Sequence, residues 1–128
     1  MEQFQQAAPA VPESVGELRR ALSDFSRGLG VPEETLGGLQ LAVSEAISNA
    51  VVHAFVDLPA PGTVTVTARR DDDGIHVVVR DDGGGMKPRT DSPGLGIGLP
   101  LMTQMTESLE FRENTHGGTD VEMRFALA

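Results

Sequence analysis

Residues 63–80 read TVTVTARRDDDGIHVVVR. Branched apolar residues alternate with polar ones on either side of DDDG, so two strands are expected to fold back on each other as a hairpin. A hairpin is antiparallel by construction, and this decides the fold class. A doubly wound sheet has parallel strands and needs a crossover helix between each pair. The loop is long enough that its turn type cannot be read from the residues.

Upstream, residues 1–13 form an irregular arm or one short edge strand, because Pro9 and Pro12 interrupt any longer element. From Ser14 the run SVGELRRALSDFSRGLG carries Val15, Leu18, Ala21 or Leu22, Phe25 and Leu29 at helical spacing, and Gly30 is placed to stop it. Arg19, Arg20 and Arg27 fall on its polar side and could face an acidic partner. Pro32 opens a longer helix, PEETLGGLQLAVSEAISNAVVHAF, with Glu33 and Glu34 suited to its first turn. Downstream of the hairpin a glycine-rich loop leads to a helix from Ile97 or Gly98, with Pro100 in its first turn. ESLEFRE and TDVEMRFALA then read as closing strands about the turn NTHGG. Sequential antiparallel strands with helices on one face make an α+β two-layer sandwich, here one domain over residues 14–128.

The bulk numbers agree with one folded unit: 128 residues, 39% hydrophobic and 23% charged. Five Phe with no Tyr or Trp leave the core to aliphatic residues, and weaken any reading that needs stacking platforms for single-stranded nucleic acid. A net charge of -9 argues against nucleic acid or an anionic membrane as the main partner. No cysteine is present, which removes disulfides and thiolate chemistry together. MEQFQQAAPAVPE lacks the basic flank and apolar core of a leader, so a soluble cytoplasmic protein is expected.

On the long helix, Leu36, Leu39, Val43, Ile47, Ala50 and Ala54 form an apolar stripe that should meet the sheet. Glu45 and Asn49 lie one turn apart on another side, flanked by Leu41, Val52 and Val56, with His53 at the edge. A carboxylate and an amide among apolar neighbours suggest a lined cavity. The stretch RDDGGGMKPRTDSPGLGIGLPLM, residues 80–102, supplies its other half and holds six of the chain's fifteen glycines. Backbone amides of Gly94, Gly96 and Gly98, running into a helix N-terminus, form a positive concavity suited to phosphate oxygens. Asp81 at a strand end repels phosphate but can accept from the exocyclic amine of a base, and Gly83 and Gly85 let the backbone approach a flat ring. Taken together, Asp81 would hold adenine, Gly94 to Gly98 the phosphates, and Asn49 a bridging Mg²⁺, leaving Glu45 as a base. GLGIGLP lacks the GKS or GKT ending of a P-loop, and no acidic residue about twenty positions on completes a dinucleotide fingerprint.

These segments resemble the GHKL, or Bergerat-fold, ATPases, and among them the bacterial anti-sigma factor serine kinases. LAVSEAISNAVVHAF at 41–55 is similar to their N box, RDDGGG at 80–85 to the first glycine box, GLGIGLPLM at 94–102 to the second, and HGGTDVEMRF to the closing strand. The resemblance runs from about Ser14 to the end and implies a mixed, mostly antiparallel sheet with helices on one face. It implies Glu45 as general base, Asn49 as Mg²⁺ ligand and Asp81 as the adenine-binding aspartate, with Thr119 helping to close the base pocket. His53, Leu95, Ile97 and Leu99 join the nucleotide site as neighbours within the matching boxes. It further implies ATP, ADP and Mg²⁺ as ligands, a STAS-domain antagonist as substrate, a sigma factor as alternate partner, a homodimer, and neither a nucleic acid nor a membrane as direct partner. Two departures stand out. Only eight residues, MKPRTDSP, separate the glycine boxes, and Ser92 and Pro93 stand where sporulation-type relatives carry an arginine for the terminal phosphate, leaving Lys87 or Arg89 to supply that charge. A nucleotide-dependent binding module that sequesters its partner, or a kinase that binds a phosphatase in place of a sigma factor, would carry the same site.

Overall fold

The computed structural model describes residues 3–54, 62–82, 95–115 and 117–127, with the side chains of 53, 54 and 95–99 left aside. The elements run β1 (Gln3–Pro9), α1 (Pro12–Gly28), α2 (Glu33–Asn49), a π-helical turn (Ala50–Ala54), β2 (Thr63–Arg70), β3 (Gly74–Asp81), α3 (Leu95–Met105), β4 (Ser108–Glu113) and β5 (Thr119–Ala126). Five strands form one sheet in the order β1-β2-β3-β5-β4. Every pairing among the described residues is antiparallel.

The hairpin forms as the alternation dictates. Val64, Val66 and Ala68 of β2 are buried, as are Ile75, Val77 and Val79 of β3, while the residues between them face outward. The register Val64↔Asp81 to Arg70↔Ile75 leaves Asp71 to Gly74 as the connection. Asp71 closes it: its Oδ1 accepts from the Asp73 N–H at 3.0 Å and the Gly74 N–H at 2.8 Å. β1 pairs with β2 from Gln3↔Arg69 to Pro9↔Thr63, and Phe4 turns inward to meet the Phe25 ring at 5.3 Å between centroids.

α1 begins at Pro12, ahead of Ser14, because proline at the first helical position loses no bond it would otherwise make. It ends as Gly30 predicts. Gly30 adopts φ 81°, its N–H donates to the Arg27 carbonyl at 3.0 Å and the Val31 N–H reaches the Ser26 carbonyl at 3.1 Å. Arg27 pairs with Asp24 at 3.6 Å and Glu33 at 3.4 Å, so this arginine is engaged within the chain.

Two helix boundaries correct the sequence reading. α2 stops at Asn49, and residues 50–54 widen into a π turn instead of continuing regularly to Phe55. Adjacent β-branched Val51 and Val52 crowd a regular turn, and the wider one sets Val51 against the core while Val52 is 54% exposed. α3 starts at Leu95, before Ile97, so Pro100 lies inside the helix and not in its first turn. Proline offers no N–H there, which frees the Gly96 carbonyl from an intrahelical bond.

α1 packs on β1 and β2, α2 on β3 and β5, and α3 against α2 and β4. The helices therefore cover one face of the sheet. Leu18, Leu22, Leu36, Leu39, Val43, Ile47, Met102 and Met123 are buried between the layers, each contributing about 1.5–3 kcal/mol of apolar burial. The opposite face carries ion pairs: Arg80 with Asp120, Arg112 with Glu122, and Arg124 with Asp71 and Glu107. Such half-exposed pairs are worth about 0–1 kcal/mol each, so that face is held by solvation and the fold rests on the interlayer core.

Candidate functional site

The last residue of β3 and the first of β5 meet at one end of the sheet. The pairing Arg80↔Asp120 sets Asp81 beside Thr119, and the Thr119 N–H points to Asp81 Oδ1 at 3.4 Å. Both residues are 2% exposed. A carboxylate this far from water needs donors, and the Thr119 N–H is one of them.

Gly118 fits against this aspartate more closely than any other residue could. A Cβ added there would lie 1.9 Å from the Asp81 carbonyl oxygen and 2.7 Å from Oδ1. Asn114, at the end of β4, ties the same corner together. Its Nδ2 donates to the Asp81 carbonyl at 2.9 Å and to Asp120 Oδ1 at 3.0 Å, while its Oδ1 accepts from the Gly118 N–H at 3.0 Å. On the other side, Asp82 Oδ1 accepts from the Thr63 N–H at 2.8 Å. The chain leaving β3 is thus anchored to both neighbouring strands before it enters the glycine segment.

Arg80 completes the outer side of this corner. Its guanidinium meets Asp120 twice, both contacts at 2.8 Å. Those hydrogen bonds hold Arg80 charged more firmly than usual against the opposing cost of burial, with the charges of Asp120 and Glu122 adding to them.

Glu45 and Asn49 stand one turn apart on α2, and the π turn that follows Asn49 packs on β3. Asn49 is 4% exposed, and its Nδ2 has no hydrogen-bond partner among the described residues. Glu45 is half-buried. Leu41 is 51% exposed, so together with Val52 it borders these two residues as open apolar surface and not as a closed wall; Val56 lies outside the described residues. His53 belongs to the π turn, and Leu95, Gly96, Ile97, Gly98 and Leu99 form the first turns of α3. Gly83, Gly85, Lys87, Arg89 and Gly94 lie outside the described residues.

The structure therefore brings together Asp81 and Thr119, and sets Glu45 and Asn49 on one helix whose extension reaches the same strand. Sequence reasoning missed Asn114 and the close approach at Gly118. NTHGG was legible only as a turn, although asparagine beside glycines is the residue whose side chain most readily bonds nearby backbone.

Chemically, these elements offer a buried carboxylate at the end of β3, an amide oxygen of the kind that binds hard cations, and a second carboxylate able to take a proton. No cluster of three or more His, Asp or Glu that could hold a metal occurs among the described residues. A cation here would be one that arrives with most of its ligands, as Mg²⁺ does on phosphates.

An antiparallel sheet covered on one face by helices, with an aspartate at the end of a central strand and a Glu and Asn one helical turn apart, is the layout of a GHKL ATPase. The histidine kinase-like ATPase domain model matches residues 8–125, and the chain belongs to that family. Within it the similarity runs to the anti-sigma factor kinases. The chain is 32% identical over 130 residues to serine-protein kinase RsbW of Bacillus subtilis (strain 168), covering 90% of this chain and 79% of that protein. It is also 32% identical over 138 residues to the anti-sigma F factor of Heyndrickxia coagulans, covering 98% of this chain and 92% of the relative. Among solved structures, the RsbU and RsbW domains of Rv1364c from Mycobacterium tuberculosis superpose on 98% of this chain and 33% of theirs, with a TM-score of 0.76 at 18% identity, a likeness of fold. No helix among the described residues is long and apolar enough to cross a membrane.

Proposed function

We propose that the chain binds Mg-ATP at this corner and transfers the terminal phosphoryl group to a serine hydroxyl of a small STAS-type antagonist protein, in a partner-switching circuit that controls a sigma factor. The observation that carries the reading is Asn49: a buried side chain whose Nδ2 has no partner among the described residues, one turn from a half-buried carboxylate. A buried donor left unpaired costs about 1–3 kcal/mol, and an acceptor such as a phosphate oxygen brought beside it would relieve that cost while the side-chain oxygen is left for a cation.

The residues fit the nucleotide. Asp81 accepts from the exocyclic amine of adenine, with Thr119 beside it and Gly118 packed against the aspartate's backbone. The amides of Gly94, Gly96 and Gly98 would receive the phosphates, with His53, Leu95, Ile97 and Leu99 joining the nucleotide site by their place in the matching boxes. The Asn49 side-chain oxygen holds Mg²⁺, which when bound neutralises charge on the phosphates. Glu45 accepts the proton of the attacking serine hydroxyl at its carboxylate, and this proton transfer is worth about 10²–10⁴ in rate. Lys87 or Arg89 supplies positive charge toward the terminal phosphate.

In this reading the protein works in the cytoplasm as a homodimer, and it holds a sigma factor in alternation with the antagonist. RsbW and anti-sigma F factor, the relatives named above, support both activities by their names. A second reading is favoured by the eight residues between the glycine boxes and by Ser92 and Pro93 in place of an arginine. There the nucleotide acts as a switch for partner binding with little transfer. Incubating the protein with Mg-ATP and a cognate STAS antagonist separates the two. Phosphoserine on the antagonist, lost in Glu45→Ala, supports the kinase. Tight nucleotide binding with no phosphoserine supports the switch.

A further inference from the structure

We propose that Asn114 is the positioning residue for base recognition, setting the Asp81 carboxylate and the Gly118–Thr119 backbone at the spacing that selects a 6-amino purine. The inference rests on the reading of Asp81 as the adenine acceptor, and extends it to a residue outside the glycine boxes.

Asn114 joins three strands with one side chain. It lies just past the end of β4, its backbone N–H donates to the Gly118 carbonyl at 2.9 Å, and the Gly117 N–H returns to its own carbonyl at 3.2 Å. Its side-chain oxygen accepts from the Gly118 N–H at 3.0 Å, fixing the residue that lies against Asp81. Its Nδ2 spans to the Asp81 carbonyl at 2.9 Å and to Asp120 Oδ1 at 3.0 Å. Regular pairing between β3 and β5 runs out at Arg80↔Asp120. Beyond that point the Asp81 carbonyl is met by a side chain, so Asn114 extends the sheet by one bond at the position where the acceptor carboxylate leaves the backbone.

The consequence is geometric. A peptide whose carbonyl is fixed cannot rotate, and the Cα–Cβ bond of Asp81 is fixed with it. Release of that carbonyl lets the peptide tilt and moves the carboxylate relative to the Thr119 N–H, which now sits 3.4 Å from Oδ1. Displacement on this scale weakens a directional hydrogen bond to an amine but leaves contacts to phosphate elsewhere untouched. Asn114 should therefore govern which base is chosen more than whether the chain folds. Asp120 serves a different purpose, since its two bonds to Arg80 secure the outer face.

The test measures binding of Mg-ADP and Mg-IDP to the full chain by calorimetry, with thermal unfolding recorded alongside. IDP carries an oxo group where ADP carries the amine, and a proton on N1, so the ratio of the two affinities reports the base edge that faces Asp81 and Thr119. Asn114→Ala and Asn114→Asp, the latter keeping size and acceptor but unable to donate, are each expected to cut the ADP-over-IDP preference about tenfold, the equivalent of one good hydrogen bond. Asp120→Asn keeps an acceptor for Asn114 and is expected to lower the unfolding temperature while leaving the preference unchanged. A preference that survives both Asn114 variants in folded protein overturns the proposal. So does a loss in Asp120→Asn equal to theirs, which would make the effect one of general stability. Should the unsubstituted protein bind neither nucleotide, the functional reading itself fails, and the two failures are thereby distinguished.

Discussion

Gly118 sits so close to Asp81 that a Cβ on it would fall 1.9 Å from the aspartate's carbonyl oxygen. The neighbour is backbone, which cannot swing aside as a side-chain tip would. Gly118→Ala should therefore destabilise the protein by about 1–3 kcal/mol and weaken ADP binding by shifting the end of β3. Urea unfolding and a nucleotide titration on the same sample check it. Unchanged stability with unchanged affinity would mean that the corner is more pliable than this packing allows.

Asn49 carries the opposite expectation for stability. Its buried Nδ2 has no partner among the described residues, so Asn49→Ala removes a cost from the ligand-free fold. The variant should melt about 2–5 °C higher without ligand, and lose the strengthening of ADP binding that Mg²⁺ confers. Thermal scans with and without Mg-ADP give both numbers. A lower melting temperature would show the amide to be satisfied and structural.

Lys87 and Arg89 are the positive charges available between the glycine boxes. Replacing both with alanine should slow phosphoryl transfer about 10–100-fold and leave ADP affinity within about threefold, because ADP lacks the phosphate they serve. Single-turnover transfer rates set beside ADP titrations resolve this. An equal loss in both would place the two residues on the nucleotide as a whole.

The acid limb of stability should report Asp71. Burial opposes its ionisation, but the Asp73 N–H, His76, the Gly74 N–H and Arg124 outweigh it and hold the carboxyl below the ordinary carboxylate range. The folded protein thus binds this proton less readily than the unfolded chain. The stabilising contribution is present above the unfolded value, about pH 4, and is lost as pH falls through the folded one. Asp71→Asn should flatten the fall in urea midpoint below about pH 4 relative to the unsubstituted protein. A parallel acid limb would assign that loss to other carboxylates.

The hairpin and the two principal helices were legible because their burial is periodic: β2 and β3 alternate, and Leu36, Leu39, Val43 and Ile47 recur at helical spacing and are all buried. The first strand was open between arm and edge, since QFQQAAP has little strand preference of its own and its pairing is imposed by β2. The π turn was not legible, because it is set by how Val51 and Val52 divide between core and solvent, which a 3.6-residue period does not encode. Glu45, Asn49 and Asp81 stand out in the sequence through their spacing and Thr119 through the resemblance to a family; the structure sets Asp81 beside Thr119 and Glu45 one turn from Asn49, and their roles are the proposal made above. Asn114 was not: its partner carbonyl lies 33 residues away, and nothing local distinguishes it from any turn asparagine.

In the proposed function one adenine nucleotide with Mg²⁺ binds where β3 and β5 end beside α2. Calorimetric titration of the full chain with Mg-ADP, repeated on Asp81→Asn, tests it most directly. The unsubstituted protein should take up one ADP per chain, and the variant should bind it at least about a hundredfold more weakly, as expected when a buried charged acceptor is lost. No heat of binding in the first titration, or equal affinity in the two, would contradict it.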